Sequence, residues 1–143
     1  MAIYSVSAQT TVGTVTAPAC DLQGASGNNP KIMEIGYCNG AATQCTYGIG
    51  RSANTPVQTG TTLMQAENPG DPAGKTTFAA TWSTAPTVPA IYLRRPFIPA
   101  TIGAGIIFTF PRGLTLVGAG PSLVTWNIAA SSAVMNQWAV ADE

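Results

Sequence analysis

Apolar and polar residues alternate in short runs along this chain, and most runs are closed by glycine, proline or asparagine. A period of two puts one face of a strand on a core and the other toward water. Residues 3–10 read as a first strand. Residues 31–39 follow a loop at 24–30 and set Met33, Ile35 and Tyr37 on one face, with Ile32, Glu34 and Cys38 on the other. Residues 44–51 are their predicted hairpin partner, turned by Asn39-Gly40. Further strands are expected at 61–67, 75–82, 91–95, 105–110, 113–117, 122–129 and 134–140. In 122–129, Val124, Trp126 and Ile128 share one face while Thr125 and Asn127 look outward.

No stretch repeats apolar residues at helical spacing, and Thr, Gly, Pro, Ser and Val outnumber the good helix formers. Residues 68–74 hold two prolines and two glycines and cannot be regular structure. Residues 83–90, with Pro86 and Pro89, read as an extended surface segment. The pattern predicts an all-β chain with little or no helix: an antiparallel β-sandwich, jelly-roll-like, of about eight to ten strands. No repeat or linker divides it, so residues 1–143 form one domain.

Composition narrows the chemistry. Six cations, six carboxylates and no histidine make 8% charged residues, against about 25% in an ordinary domain. Acid/base and nucleophilic catalysis need paired titratable groups, which this chain barely supplies. The expectation is therefore a non-enzyme without cofactor or metal. A formal net charge of zero leaves no electrostatic footprint for nucleic acid and little long-range repulsion between copies. No run is long and apolar enough for a membrane helix. The opening residues lack a basic region and a long apolar core, so no cleaved signal is expected.

Cys20, Cys38 and Cys45 are odd in number, and three reduced, partly buried thiols are expected. A Cys38–Cys45 bridge would nevertheless suit two neighbouring strands. Gly70-Asp71-Pro72-Ala73-Gly74-Lys75-Thr76 imitates a phosphate-binding loop. It has one residue too few between its glycines, and a predicted strand follows where a helix is needed. Glu67 and Asp71 are read as two solvated loop carboxylates, since calcium needs six to eight oxygens. Arg51, Arg95 and Arg112 are candidate ion-pair partners of Glu34, Glu67 or Asp142. Asp142-Glu143 is read as an exposed tail or an interface salt-bridge partner. Trp82, Trp126 and Trp138 are expected in the core or at subunit contacts.

Four segments carry a resemblance. Residues 2–8 (AIYSVSA), 82–89 (WSTAPTVP), the stretch from Leu93-Arg94-Arg95 to residues 99–105 (PATIGAG), and 110–114 (FPRGL) resemble small proteins encoded among the structural genes of tailed bacteriophages. The resemblance covers most of the chain and includes no site motif or cysteine pattern. It implies a β-sandwich virion component assembled in the host cytoplasm, a capsid decoration (cement) protein or related head or tail part. Such proteins are often homotrimers seated on the major capsid protein.

A low charge count and exposed apolar anchors suit repeated subunit packing. The expected interface residues are Tyr92, Arg94, Arg95, Phe97 and Ile98, with the proline-rich edges at 86–89 and 96–99 blocking stray strand pairing. The rival expectation is a carbohydrate- or receptor-binding head or tail fibre domain, with its glycan site at Asn136, Gln137 and Trp138.

Overall fold

The computed structural model describes residues 2–129 and 133–143. Their regular structure consists of fourteen strands and no helix, which makes the chain an all-β protein of the sandwich class with more strands than its sequence pattern suggests. Strands are numbered in chain order. β1 (Ile3–Gln9), β3 (Lys31–Asn39), β7 (Gln65–Ala66), β12 (Gly105–Thr115) and β14 (Met135–Asp142) form a five-stranded sheet in the order β12-β3-β14-β1-β7. The second sheet runs β10-β4-β13-β2-β8-β6, built from β2 (Pro18–Gln23), β4 (Cys45–Arg51), β6 (Thr62–Leu63), β8 (Thr77–Ala79), β10 (Tyr92–Arg94) and β13 (Leu123–Asn127). β11 (Phe97–Ile98) follows β10 along the same edge of β4. β5 (Val57–Thr59) and β9 (Thr81–Thr84) pair with each other outside both sheets.

The two sheets meet over one core. Tyr4, Ile35, Tyr37 and Met135 come from the first sheet, and Leu22, Tyr47, Ile49 and Leu123 from the second. A polar seam crosses its middle. The Gln137 Oε1 of β14 accepts from Cys20 Sγ at 2.7 Å and from Thr125 Oγ1 at 3.0 Å, and Thr125 Oγ1 lies 2.8 Å from the Tyr37 hydroxyl. Buried hydroxyl, amide and thiol groups satisfy one another, which lets them sit between two apolar sheets.

Several expectations are corrected here. β3 and β4 are not a hairpin: β12 and β14 already occupy both edges of β3, so the chain after Asn39-Gly40 must cross to the other sheet. The Asn39 side chain holds that crossing by donating to Thr43 O at 2.8 Å and Pro99 O at 3.0 Å. Cys38 and Cys45 consequently lie in different sheets, and all three cysteines are free thiols. Ile32 and Ile35 are both buried, because the pairing of β3 with β14 shifts register between Val140 and Ala141 and breaks strict alternation. Residues 75–82 split into β8 and β9, which belong to different sheets. The run 105–115 is one strand with an irregularity, not two.

β2 and β5 were not expected from the pattern. β2 opens on a proline, carries Asp21 at its middle and does not alternate, yet every residue from Pro18 to Leu22 is buried. It is a central strand covered on both faces, and such strands lose the period-two signature. β13 is buried throughout for the same reason, so Thr125 and Asn127 point inward and not to solvent.

A partial third layer causes this double burial. Gln58 of β5 and Trp82 of β9 both donate to Asp21 Oδ1 of β2, at 2.8 and 2.9 Å. Residues 85–92 cover β4: a Cβ at Gly50 would lie 2.5 Å from Pro89, and one at Gly48 2.2 Å from the Tyr92 ring. Trp126 is capped by the loop between β1 and β2, its indole N–H donating to Val15 O at 3.2 Å.

Candidate functional site

The outer face of the second sheet is largely covered by that layer, whereas the outer face of the five-stranded sheet is open. Around Trp138 its side chains can be read from the register as three rows. One row is Ile107, Gly36, Trp138 and Ser7, each opposite the next on β12, β3, β14 and β1. The row on one side is Gly105, Cys38, Asn136 and Gln9. The row on the other is Thr109, Glu34, Val140, Ser5 and Gln65.

Trp138 sits at the centre of this grid because its neighbour in the row is glycine. A Cβ at Gly36 would lie 1.9 Å from Trp138 Cζ2, so the ring occupies the space that any side chain there would take. Its indole N–H donates to Glu34 Oε1 at 3.0 Å, diagonally across the strands. A groove opens on each side of the ring. The one toward β1 and β7, about 430 Å³, is lined by Ser5, Ser7, Thr62, Leu63 and Gln65. The one toward β12, about 630 Å³, is lined by Cys38, Gly103, Gly105, Ile106 and Ile107.

Of the predicted glycan residues, Asn136 and Trp138 share this face. Gln137 does not: successive residues of a strand point to opposite faces, and Gln137 is buried in the polar seam, 2% exposed. Pattern reading missed Ser5, Ser7, Gln65 and Glu34, which come from three other strands.

A second feature lies at one side of the sandwich, where the free edges of both sheets run together. β10 and β11 border the second sheet and β12 the first, and the connection 99–104 joins them. Arg94 bridges the two edges, its guanidinium carbon 5.3 Å from the Phe110 ring centroid. Six of the twelve exposed large apolar side chains among the described residues fall within 88–107: Val88, Ile91, Leu93, Phe97, Ile102 and Ile107. Of the predicted interface residues, Arg94, Arg95 and Phe97 are exposed and Tyr92 is half-buried against Gly48. Ile98 is withdrawn from the interface, because its side chain is 1% exposed in the core. Pro86, Pro89 and Pro96 are buried packing residues, and Pro99 is exposed.

The other candidate groups find internal uses. Glu143 is docked, not a free tail: its carboxylate accepts from the Lys75 and Thr76 amides at 2.7 and 2.8 Å. The loop resembling a phosphate cradle thus offers its N–H groups to the chain's own carboxylate. Glu34 meets Trp138, and among the described residues no arginine is ion-paired with it, Glu67 or Asp142. No cluster of three metal-ligating side chains exists among the described residues. Asp21 is the one carboxylate held in the interior, and burial raises its pKa, while Gln58, Trp82 and Ser122 pull the other way. Its Oδ2 makes no hydrogen bond, consistent with burial prevailing. Burial likewise pushes the Cys20 thiol far up, so it is an inert thiol. No known protein family, characterised protein or solved structure matches the chain.

Proposed function

We propose that this chain is a structural subunit of a virion that decorates the mature head of a tailed phage through contacts with its own copies and with the major capsid protein. The observation that carries the reading is the side formed by β10, β11 and β12. Two free sheet edges and half of the exposed large apolar side chains coincide there. Unpaired strand edges are templates for further pairing, and apolar anchors beside them supply contact energy. Three of the six cations, Arg94, Arg95 and Arg112, lie on or beside these edges, which suits charge-assisted contacts at an interface rim. The resemblance of segments 93–105 and 110–114 to phage structural proteins falls on this same side. Binding to junctions that exist only in the mature shell stabilises that shell by mass action.

The test is light scattering after size exclusion, followed by co-sedimentation with shells assembled from major capsid protein. The expected result is an oligomer near three times 14.6 kDa that sediments with shells. Phe97→Asp and Ile107→Asp, both at exposed positions, should abolish both properties without unfolding the chain. Absence of shell binding by the parent protein, or unchanged binding by both variants, would overturn the proposal.

A further inference from the structure

We infer that the outer face of the five-stranded sheet is a binding site for an uncharged saccharide, seated against Trp138 in the groove toward β1 and β7. The groove lies toward β1 and β7, on the far side of Trp138 from Ile107, which is the assembly-side residue in its row, and failure of this site would leave the assembly reading untouched. Three observations converge on it.

The first is a fixed aromatic. Trp138 is half-buried, rests in the gap left by Gly36 and is pinned through its N–H by Glu34 at 3.0 Å. A ring whose rotamer is already set loses little side-chain entropy on binding, unlike a flexible surface aromatic. Its electron-rich face attracts the weakly positive C–H groups on the flat side of a pyranose.

The second is the polar surround. Ser5 and Ser7 of β1 and Gln65 of β7 line the groove next to the ring, and Asn136 stands two residues away on the same face of β14. Hydroxyls and primary amides both donate and accept, which matches the mixed donor and acceptor character of sugar hydroxyls. A groove of about 430 Å³ lies in the range of small-ligand clefts.

The third is the charge around Trp138. Lys31 and Asp142, one charge of each sign, stand opposite each other in the row beyond Val140, while the three rows around the ring contain no cation and a single carboxylate, Glu34, which is bonded to the indole. An anionic sugar, a phosphate or a nucleic acid would find no counter-charge there. A protein partner would be better served by the apolar cluster of Val88, Ile91, Leu93, Phe97 and Ile102 than by a groove in which Leu63 and Trp138 stand among serine, threonine and glutamine.

The test is an array of immobilised neutral glycans probed with the whole protein. The best hit is then titrated while the Trp138 indole N–H signal is followed by NMR. Saturable binding that shifts this signal is expected. Trp138→Ala should weaken binding about tenfold or more, as loss of an aromatic contact plus its buried area implies. Gln65→Ala, at an exposed position, should weaken it several-fold with unchanged thermal stability. Binding to acidic glycans alone, retention of affinity in Trp138→Ala and Gln65→Ala, or no binding across the array would each overturn the inference.

Discussion

Replacing Gln137 by leucine tests whether the polar seam holds the two sheets in register. The substitution roughly conserves volume and deletes the acceptor shared by Cys20 Sγ at 2.7 Å and Thr125 Oγ1 at 3.0 Å. Thr125 and the Tyr37 hydroxyl keep one bond between them, so one of their two protons loses its acceptor, as does the Cys20 thiol. Two buried hydrogen bonds at about 0.5–1.5 kcal/mol each, with the thiol a weak donor, give a net loss of about 2 kcal/mol. For 143 residues, an unfolding entropy of about 2.1 cal/mol/K per residue converts this to a fall in Tm of about 7 °C. Urea unfolding followed by tryptophan fluorescence, with a thermal scan beside it, measures both. The double variant Gln137→Leu/Thr125→Val should cost less than the sum of its singles, by about 1 kcal/mol, because the first change already breaks the bond that the second removes. A Gln137→Leu protein as stable as its parent would refute the reasoning. It would mean that apolar filling offsets the whole seam and that the network contributes nothing net.

Asp21→Asn probes the third layer through pH. Burial raises the folded pKa of Asp21, so the native chain keeps a proton that the unfolded chain has released above about pH 4. The stability linked to this group is full below that pH and is lost as pH rises through the folded value, by the linkage relation. Urea midpoints measured from pH 4 to 8 should fall less steeply in Asp21→Asn than in the parent, and identical slopes would contradict the assignment. Gly48→Ala would put a Cβ 2.2 Å from Tyr92 Cδ1. Expelling that ring should cost about 1–3 kcal/mol and expose residues 85–92 to limited proteolysis, and an unchanged urea midpoint would show that the segment does not depend on its packing over β4.

The sequence by itself determined the fold class and most of the longer strands. β1, β3, β4, β12 and β14 each show alternation or β-branched enrichment, and they lie where one face meets the core and the other meets water or a thin cover. It also exposed the poverty of titratable chemistry and the aromatic at 138. What it could not determine was which strand lies beside which. Asn39-Gly40 has ideal hairpin chemistry, yet the neighbours of β3 are β12 and β14, from the far end of the chain. Turn residues set local geometry, whereas pairing is set by how all strands share two sheets. β2 was invisible because a strand covered on both faces carries no polar alternation, and its Asp21 is tolerated only through partners at Gln58 and Trp82. The same logic governs the sites. Trp138 can lie flush with the sheet only because the register puts Gly36 opposite it, and Ser7 and Gln65 reach its groove from strands far away in sequence. Gln137, its immediate neighbour in the chain, faces the core. Alternation along one strand separates adjacent residues by the thickness of the sheet, while pairing across strands unites distant ones, and only the tertiary structure records the second.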